Sequence, residues 1–69
     1  VQIDPTALRR ARETAGHSQT TLAAASGIAQ SHISKLERER SDVRPPTAKA
    51  LADELGVEIE DLEHAAVAS

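Results

Sequence analysis

A chain of 69 residues has room for one domain and one core, and at this size folding withdraws only about 60% of the unfolded surface from water. Cysteine is absent, which excludes disulfides, and Phe, Tyr, Trp and Met are absent too, so the core must come from Leu, Ile, Val and Ala, a set that suits close-packed helices better than sheets. Net charge is −3 but polarised: residues 1–49 hold all eight Lys and Arg against five acids, while residues 50–69 hold six acids and no base.

On charge alone, scattered solvated groups are the simpler reading, and a phosphate-facing basic side with an acidic side turned away is the sharper one. No apolar run approaches the roughly 18 to 20 residues that span a bilayer, and nothing resembles a signal peptide, so a soluble, cytoplasmic protein is expected. His17, His32 and His64 are too scattered for a structural metal site, and no cofactor is expected. The absence of an initiator Met points to a trimmed chain or a domain of a longer one.

In chain order, Asp4 followed by Pro5 predicts a helix start, and Leu8, Ala11, Arg12 and Ala15 form one stripe of that helix, closed by Gly16. Ser18 caps a short second helix with Leu22 and Ala23 inward, ending near Ser26 and Gly27. A third segment from about Gln30 carries Ile33 and Leu36 inward, with Gln30, Ser31, Ser34, Lys35 and Arg38 on its other side. A polar loop from Glu39 to Arg44 leads to Pro45 and Pro46, which fit the first turn of a fourth helix. Its stripe is Ala48, Leu51, Ala52 and Leu55, and Gly56 stops it. Ile59 and Leu62 suggest a fifth short helix, with Glu60 and Asp61 suited to its positive N-terminus, before an Ala-rich end expected to fray.

Helices two and three carry the functional signal, because Gln19, Ala23, Gly27 and Ile33 stand at relative positions 1, 5, 9 and 15. Ala23 is small where the next helix crosses, Gly27 allows the positive φ of a tight turn, and Ile33 drops between the two helices. Gln19 in the first turn of helix two places a side-chain amide near free backbone N–H groups that can meet a phosphate. That constellation is a helix-turn-helix. The sequence here resembles the Cro/repressor (Xre-type) DNA-binding family from about Leu8 to Leu62. Ser18-Gln19, Leu22-Ala23, Gly27-Ile28, Ile33 to Arg38, and Leu51-Ala52 through Leu55-Gly56-Val57 all follow that family's order and spacing.

The resemblance implies an all-α bundle of five helices, a lambda repressor-like domain over residues 1–69 with its ordered core at about 4–64. It also implies sequence-specific binding of double-stranded DNA in the major groove by a transcriptional regulator, of phage- or bacterial-repressor type. By position, Gln30, Ser31, Ser34 and Lys35 match the base-reading residues and Gln19 the phosphate-binding glutamine, with Ser18 beside it. Gln pairs with adenine N6 and N7, Lys reaches guanine O6 and N7, and Ser serves either base. Arg38, Arg40, Arg44, Arg9 and Arg12 are further phosphate candidates. The resemblance also implies an ion pair between Arg12 and Glu37, joining helix one to the recognition helix.

The sequence departs from the family pattern at both ends of that helix. Ala29 replaces the usual Ser or Thr cap, and Glu39 replaces the usual Gly, which allows the helix another residue or two. A Glu39 carboxylate facing the groove would repel phosphate. The competing reading is a protein-interaction module, bridging or antitoxin-like, that keeps the fold without binding DNA; net charge −3 is its support. An enzyme is not expected, because Ser18 beside His17 is adjacency in sequence only. The partners expected are DNA and either a second copy, dimerising weakly on DNA, or a further domain in a longer chain. Val43, Ile59 and the alanines near Ala65 are the residues available for an interface.

Overall fold

In the computed structural model, which describes residues 1–64, Asp4 Oδ2 accepts the Ala7 N–H at 2.9 Å and Pro5 opens helix α1, Pro5–Thr14. The helix ends one residue before Ala15, which is exposed, so the predicted stripe shortens to Leu8, Ala11 and Arg12. Gly16 turns the chain at φ 80°, and the His17 N–H reaches back to the Arg12 carbonyl at 3.1 Å, satisfying a terminal acceptor. Helix α2, Gln19–Ser26, begins at a reciprocal cap: Thr21 N–H donates to Ser18 Oγ at 3.0 Å, and Ser18 N–H donates to Thr21 Oγ1 at 2.8 Å. Gly27, at φ 75°, closes α2 and allows the turn into α3, Gln30–Arg38.

Glu39 does not extend α3. Its backbone is extended at φ −145° and ψ 148°, and the chain goes straight into a strand pairing absent from the helical reading. Gln2–Ile3 (β1) and Ser41–Asp42 (β2) form an antiparallel ladder, with Gln2 opposite Asp42 and Ile3 opposite Ser41. Two backbone bonds extend it: Val43 N–H to the Val1 carbonyl and Asp4 N–H to the Leu62 carbonyl, each 2.8 Å. The N-terminal segment is thereby held between the α3–α4 loop and the last helix.

Helix α4, Pro45–Leu55, has no side-chain cap, but its first two residues are prolines, which remove two of the N–H groups a cap would serve. Gly56 ends it at φ 68°, and α5, Ile59–Glu63, follows, with Glu58 N–H donating to the Asp61 carboxylate at 3.0 Å. The core gathers Ile3, Leu8, Leu22, Ile33, Leu36, Val43, Ala48, Leu51, Ala52, Leu55 and Leu62 from every element except β2, whose C-terminal neighbour is Val43. Val43 is therefore core and not surface, and Ile59 is half-buried against the same cluster; the alanines near Ala65 lie outside the described residues. Ile3, one residue ahead of the expected start of the core, is wholly buried. The result is the five-helix bundle expected, with a two-stranded clasp added.

Candidate nucleic-acid interface

Helix α3 divides cleanly by face. Ile33 and Leu36 are wholly buried, whereas Gln30, Ser31, Lys35 and Arg38 are exposed and Ser34 is half-buried. The outward residues recur at i, i+1, i+4, i+5 and i+8, which places amide, hydroxyl, ammonium and guanidinium donors along one side of a nine-residue rod. His32 is exposed as well. Ala29 offers no side chain to the first turn of α3, so that end is capped only by backbone geometry.

What holds this rod in place is a charged joint on its inner side. Arg12 Nε donates to Glu37 Oε2 at 2.6 Å and Nη2 to Oε1 at 3.1 Å, a two-pronged pair, while Nη1 donates to the His17 carbonyl at 2.9 Å. The two side chains are 13% and 5% exposed, so little water competes for them. The hydrogen bond to Glu37 outweighs the opposing cost of burial and raises the Arg12 pKa, so this cation is present throughout the physiological range. With all three nitrogens hydrogen-bonded and the side chain largely withdrawn from solvent, Arg12 makes the ion pair with Glu37 that the resemblance implied and serves the scaffold.

Gln19 joins the same cluster, its Nε2 donating to Glu37 Oε1 at 3.3 Å. Glu37 thus ties the start of α2 to α1 and α3 at once. One Gln19 amide hydrogen is used there, and Gln19 is the first residue of α2, in the turn whose N–H groups lack helical partners except where Ser18 caps Thr21. Ser18 is exposed, but its hydroxyl is committed to the α2 cap, so its part is to shape that turn.

The other cations differ in their occupation. Arg9 meets Glu13 at 3.4 Å along α1, Arg40 meets Asp4 at 2.9 Å, and Lys35 meets Glu39 at 3.8 Å. Arg38 and Arg44 are exposed and have no acidic partner among the described residues. Asp4 is the residue that sequence reasoning assigned half its work: one carboxylate oxygen caps α1 while the other accepts from Arg40. Thr21 was missed outright, although its place three residues after Ser18 was a usable capping signal.

Elsewhere the surface offers a shallow groove lined by Ala7, Ala11, Ala15, Leu55 and Val57, with Arg10, Glu60, Asp61 and His64. No three His, Asp or Glu side chains gather as a metal site among the described residues, and none of their helices is long and apolar enough to cross a membrane. His17 Nδ1 lies 3.2 Å from Thr21 Oγ1, so the ring is engaged with the helix cap and not with Ser18.

Helices α2 and α3, joined by the Gly27 turn and braced by α1, form a helix-turn-helix, and the chain belongs to that class of protein: residues 8–62 match the helix-turn-helix family of the Xre and lambda-repressor type. Among solved structures it resembles the restriction-modification controller protein C.AhdI from Aeromonas hydrophila. That match has 34% identity and a TM-score of 0.76, and it covers 84% of this chain and 88% of the other. It also resembles PhpD, in structures with cadmium alone and complexed with hydroethylphosphonate, at 25% identity and a TM-score of 0.78. There it covers 97% of this chain but only 14% of PhpD. No curated protein sequence matches it significantly.

Proposed function

We propose that the chain is a sequence-specific regulator that lays α3 in the major groove of duplex DNA, reads bases with Gln30, Ser31, Ser34 and Lys35, and acts as a cytoplasmic repressor by occupying an operator. The observation that carries this reading is the two-faced α3: its inner side is locked by Ile33, Leu36 and the Glu37 joint, while its outer side holds the exposed Gln30, Ser31 and Lys35 and the half-buried Ser34. The likeness to a restriction-modification controller protein supports a regulatory role over an enzymatic one. Gln19 and the first turn of α2 are the phosphate anchor on one side, and Arg38 and Arg44 on the other, with Arg9 and Arg40 recruited from their exposed pairs.

The test is a salt titration of binding to duplex DNA, because each phosphate neutralised adds about −0.9 to the slope of log K against log salt. An interaction module of the same fold would show no binding to titrate. Within that experiment, Lys35→Ala and Gln30→Ala should weaken a selected duplex by about 1 to 3 kcal/mol and random duplex far less. Arg38→Ala should weaken both alike and flatten the slope by roughly one. Equal losses for Lys35→Ala on both duplexes would remove it from the reading set.

Function on this reading needs two copies of the domain, because one nine-residue helix spans only a handful of base pairs. Two-fold related copies would set their α3 helices about 34 Å apart, one turn of DNA. With Val43 buried and Ile59 half-buried, little large apolar surface remains for an obligate contact. Sedimentation at micromolar concentration is expected to show a monomer alone and a two-to-one complex on an operator. A one-to-one complex of nanomolar affinity would refute the two-copy arrangement.

A further inference from the structure

Of the eight cations, Arg9, Arg12, Lys35, Arg40 and Lys49 meet acids within the chain, and Arg38 and Arg44 lie at the end of α3 and in the loop after it. Arg10 is left over. It is exposed, has no ion-pair partner among the described residues, and stands about 160° round α1 from Arg12, away from the flank that carries α3. There it borders the groove between α1 and the α4–α5 end of the bundle. The α1 bank carries Ala7, Arg10 and Ala11, and the opposite bank carries Leu55, Val57 and Glu60. Glu60 is also exposed and without an ion-pair partner among the described residues. Ala11 and Val57 are only half-buried, so part of this apolar surface still meets water. Each bank thus joins an apolar wall to one uncommitted charge, and the two charges have opposite sign.

We propose that this groove is the contact surface for a second copy of the chain. A two-fold axis through it lays the α1 bank of each copy on the α4–α5 bank of the other, and it pairs Arg10 of each with Glu60 of the partner subunit. A two-fold contact requires a surface that is its own complement, and opposite charges on opposite banks of one apolar groove meet that requirement without any other molecule. Asp61, on the same bank as Glu60, spends one carboxylate oxygen on the α5 cap and adds its charge to the attraction for Arg10. The groove includes no residue of α2 or α3, so a copy seated there covers neither the polar face of α3 nor the first turn of α2. Its role on DNA rests on the two-copy reading above; the contact itself is tested without DNA. Alanines in place of large anchors on the α1 bank make it a weak contact, with a Kd on the order of hundreds of micromolar.

The experiment is sedimentation equilibrium without DNA, up to about 1 mM, on the wild-type chain, Arg10→Glu, Glu60→Lys, and an equimolar mixture of the two variants. Each variant alone opposes like charges twice across the axis and is expected to associate at least about tenfold more weakly than wild type. The mixture sets opposite charges together at both contacts and should recover association at least as tight as wild type. Glu60→Lys moves the net charge of −3 closer to zero, so an effect of net charge alone would tighten association where the contact predicts weakening. Recovery in the mixture also excludes misfolding as the cause of either loss. A wild-type chain that stays monomeric at that concentration would overturn the proposal and leave the groove to a different partner. So would tighter association of Glu60→Lys, or a mixture no stronger than its components. A dimer of this kind that binds no duplex overturns the DNA-binding reading and leaves the contact standing; a two-to-one complex on an operator together with a failed mixture overturns the contact alone.

Discussion

Glu37→Ala is expected to unfold the domain, or nearly so. The substitution leaves the guanidinium of Arg12, whose side chain is 13% exposed, with only the His17 carbonyl, and it strips Gln19 of its acceptor. Removing one partner of a buried pair costs about 3 to 5 kcal/mol, the low end applying where some solvent reaches the survivor. A chain of this length has about 3 to 10 kcal/mol in hand. Thermal melting followed by circular dichroism checks the outcome, and a melting point within a degree or two of wild type would refute the structural weight given to the joint. Arg12→Lys should also destabilise, because an ammonium cannot make the two-pronged bond that the 2.6 and 3.1 Å contacts describe.

Ile3→Ala is expected to cost about 2 to 5 kcal/mol, as much as a substitution in any helix. The side chain is wholly buried, and it sits in a strand of two residues that has no stability of its own. Emptying that position leaves a cavity and loosens the clasp that links the α3–α4 loop to α5 through Val43, Val1, Asp4 and Leu62. Denaturant unfolding measures it; a loss below about 1 kcal/mol would show that the segment contributes little. The effect should reach the α3 face proposed to meet DNA too, because β2 follows directly on Glu39 and Arg40.

The local signals in the sequence were sufficient for the helices. Asp4-Pro5, Ser18, Gly27, the proline pair and Gly56 each act within one turn of chain, so their meaning does not depend on what lies opposite, and all five serve as read. The division of α3 into buried Ile33 and Leu36 and an open polar face was legible for the same reason: helical period alone separates them. Ala15 was misplaced because a stripe read from spacing continues until something stops it, and the Gly16 turn cut the helix one residue sooner.

Other features depended on partners far away in the chain. A two-residue strand has no periodicity to read, so β1 and β2 exist only because residues 2–3 and 41–42 are brought edge to edge. Whether Val43 is surface or core, and whether Ile3 counts at all, is settled by the same closure. The cations make the point most sharply. In sequence Arg12, Lys35, Arg38, Arg40 and Arg44 are five similar charges, but Arg12 is consumed by a carboxylate 25 residues away, whereas Arg40 meets one 36 away only in an exposed pair. Lys35 meets its exposed neighbour Glu39, and Arg38 and Arg44 stand without an acidic partner among the described residues. The sequence by itself determined which helices form and which face of α3 looks outward, because helix periodicity and capping are local. Only the tertiary structure decided which of the basic residues is spent holding the fold together, because a charge is committed by whatever the folded chain places within about 4 Å of it, and that distance is not written in the order of residues.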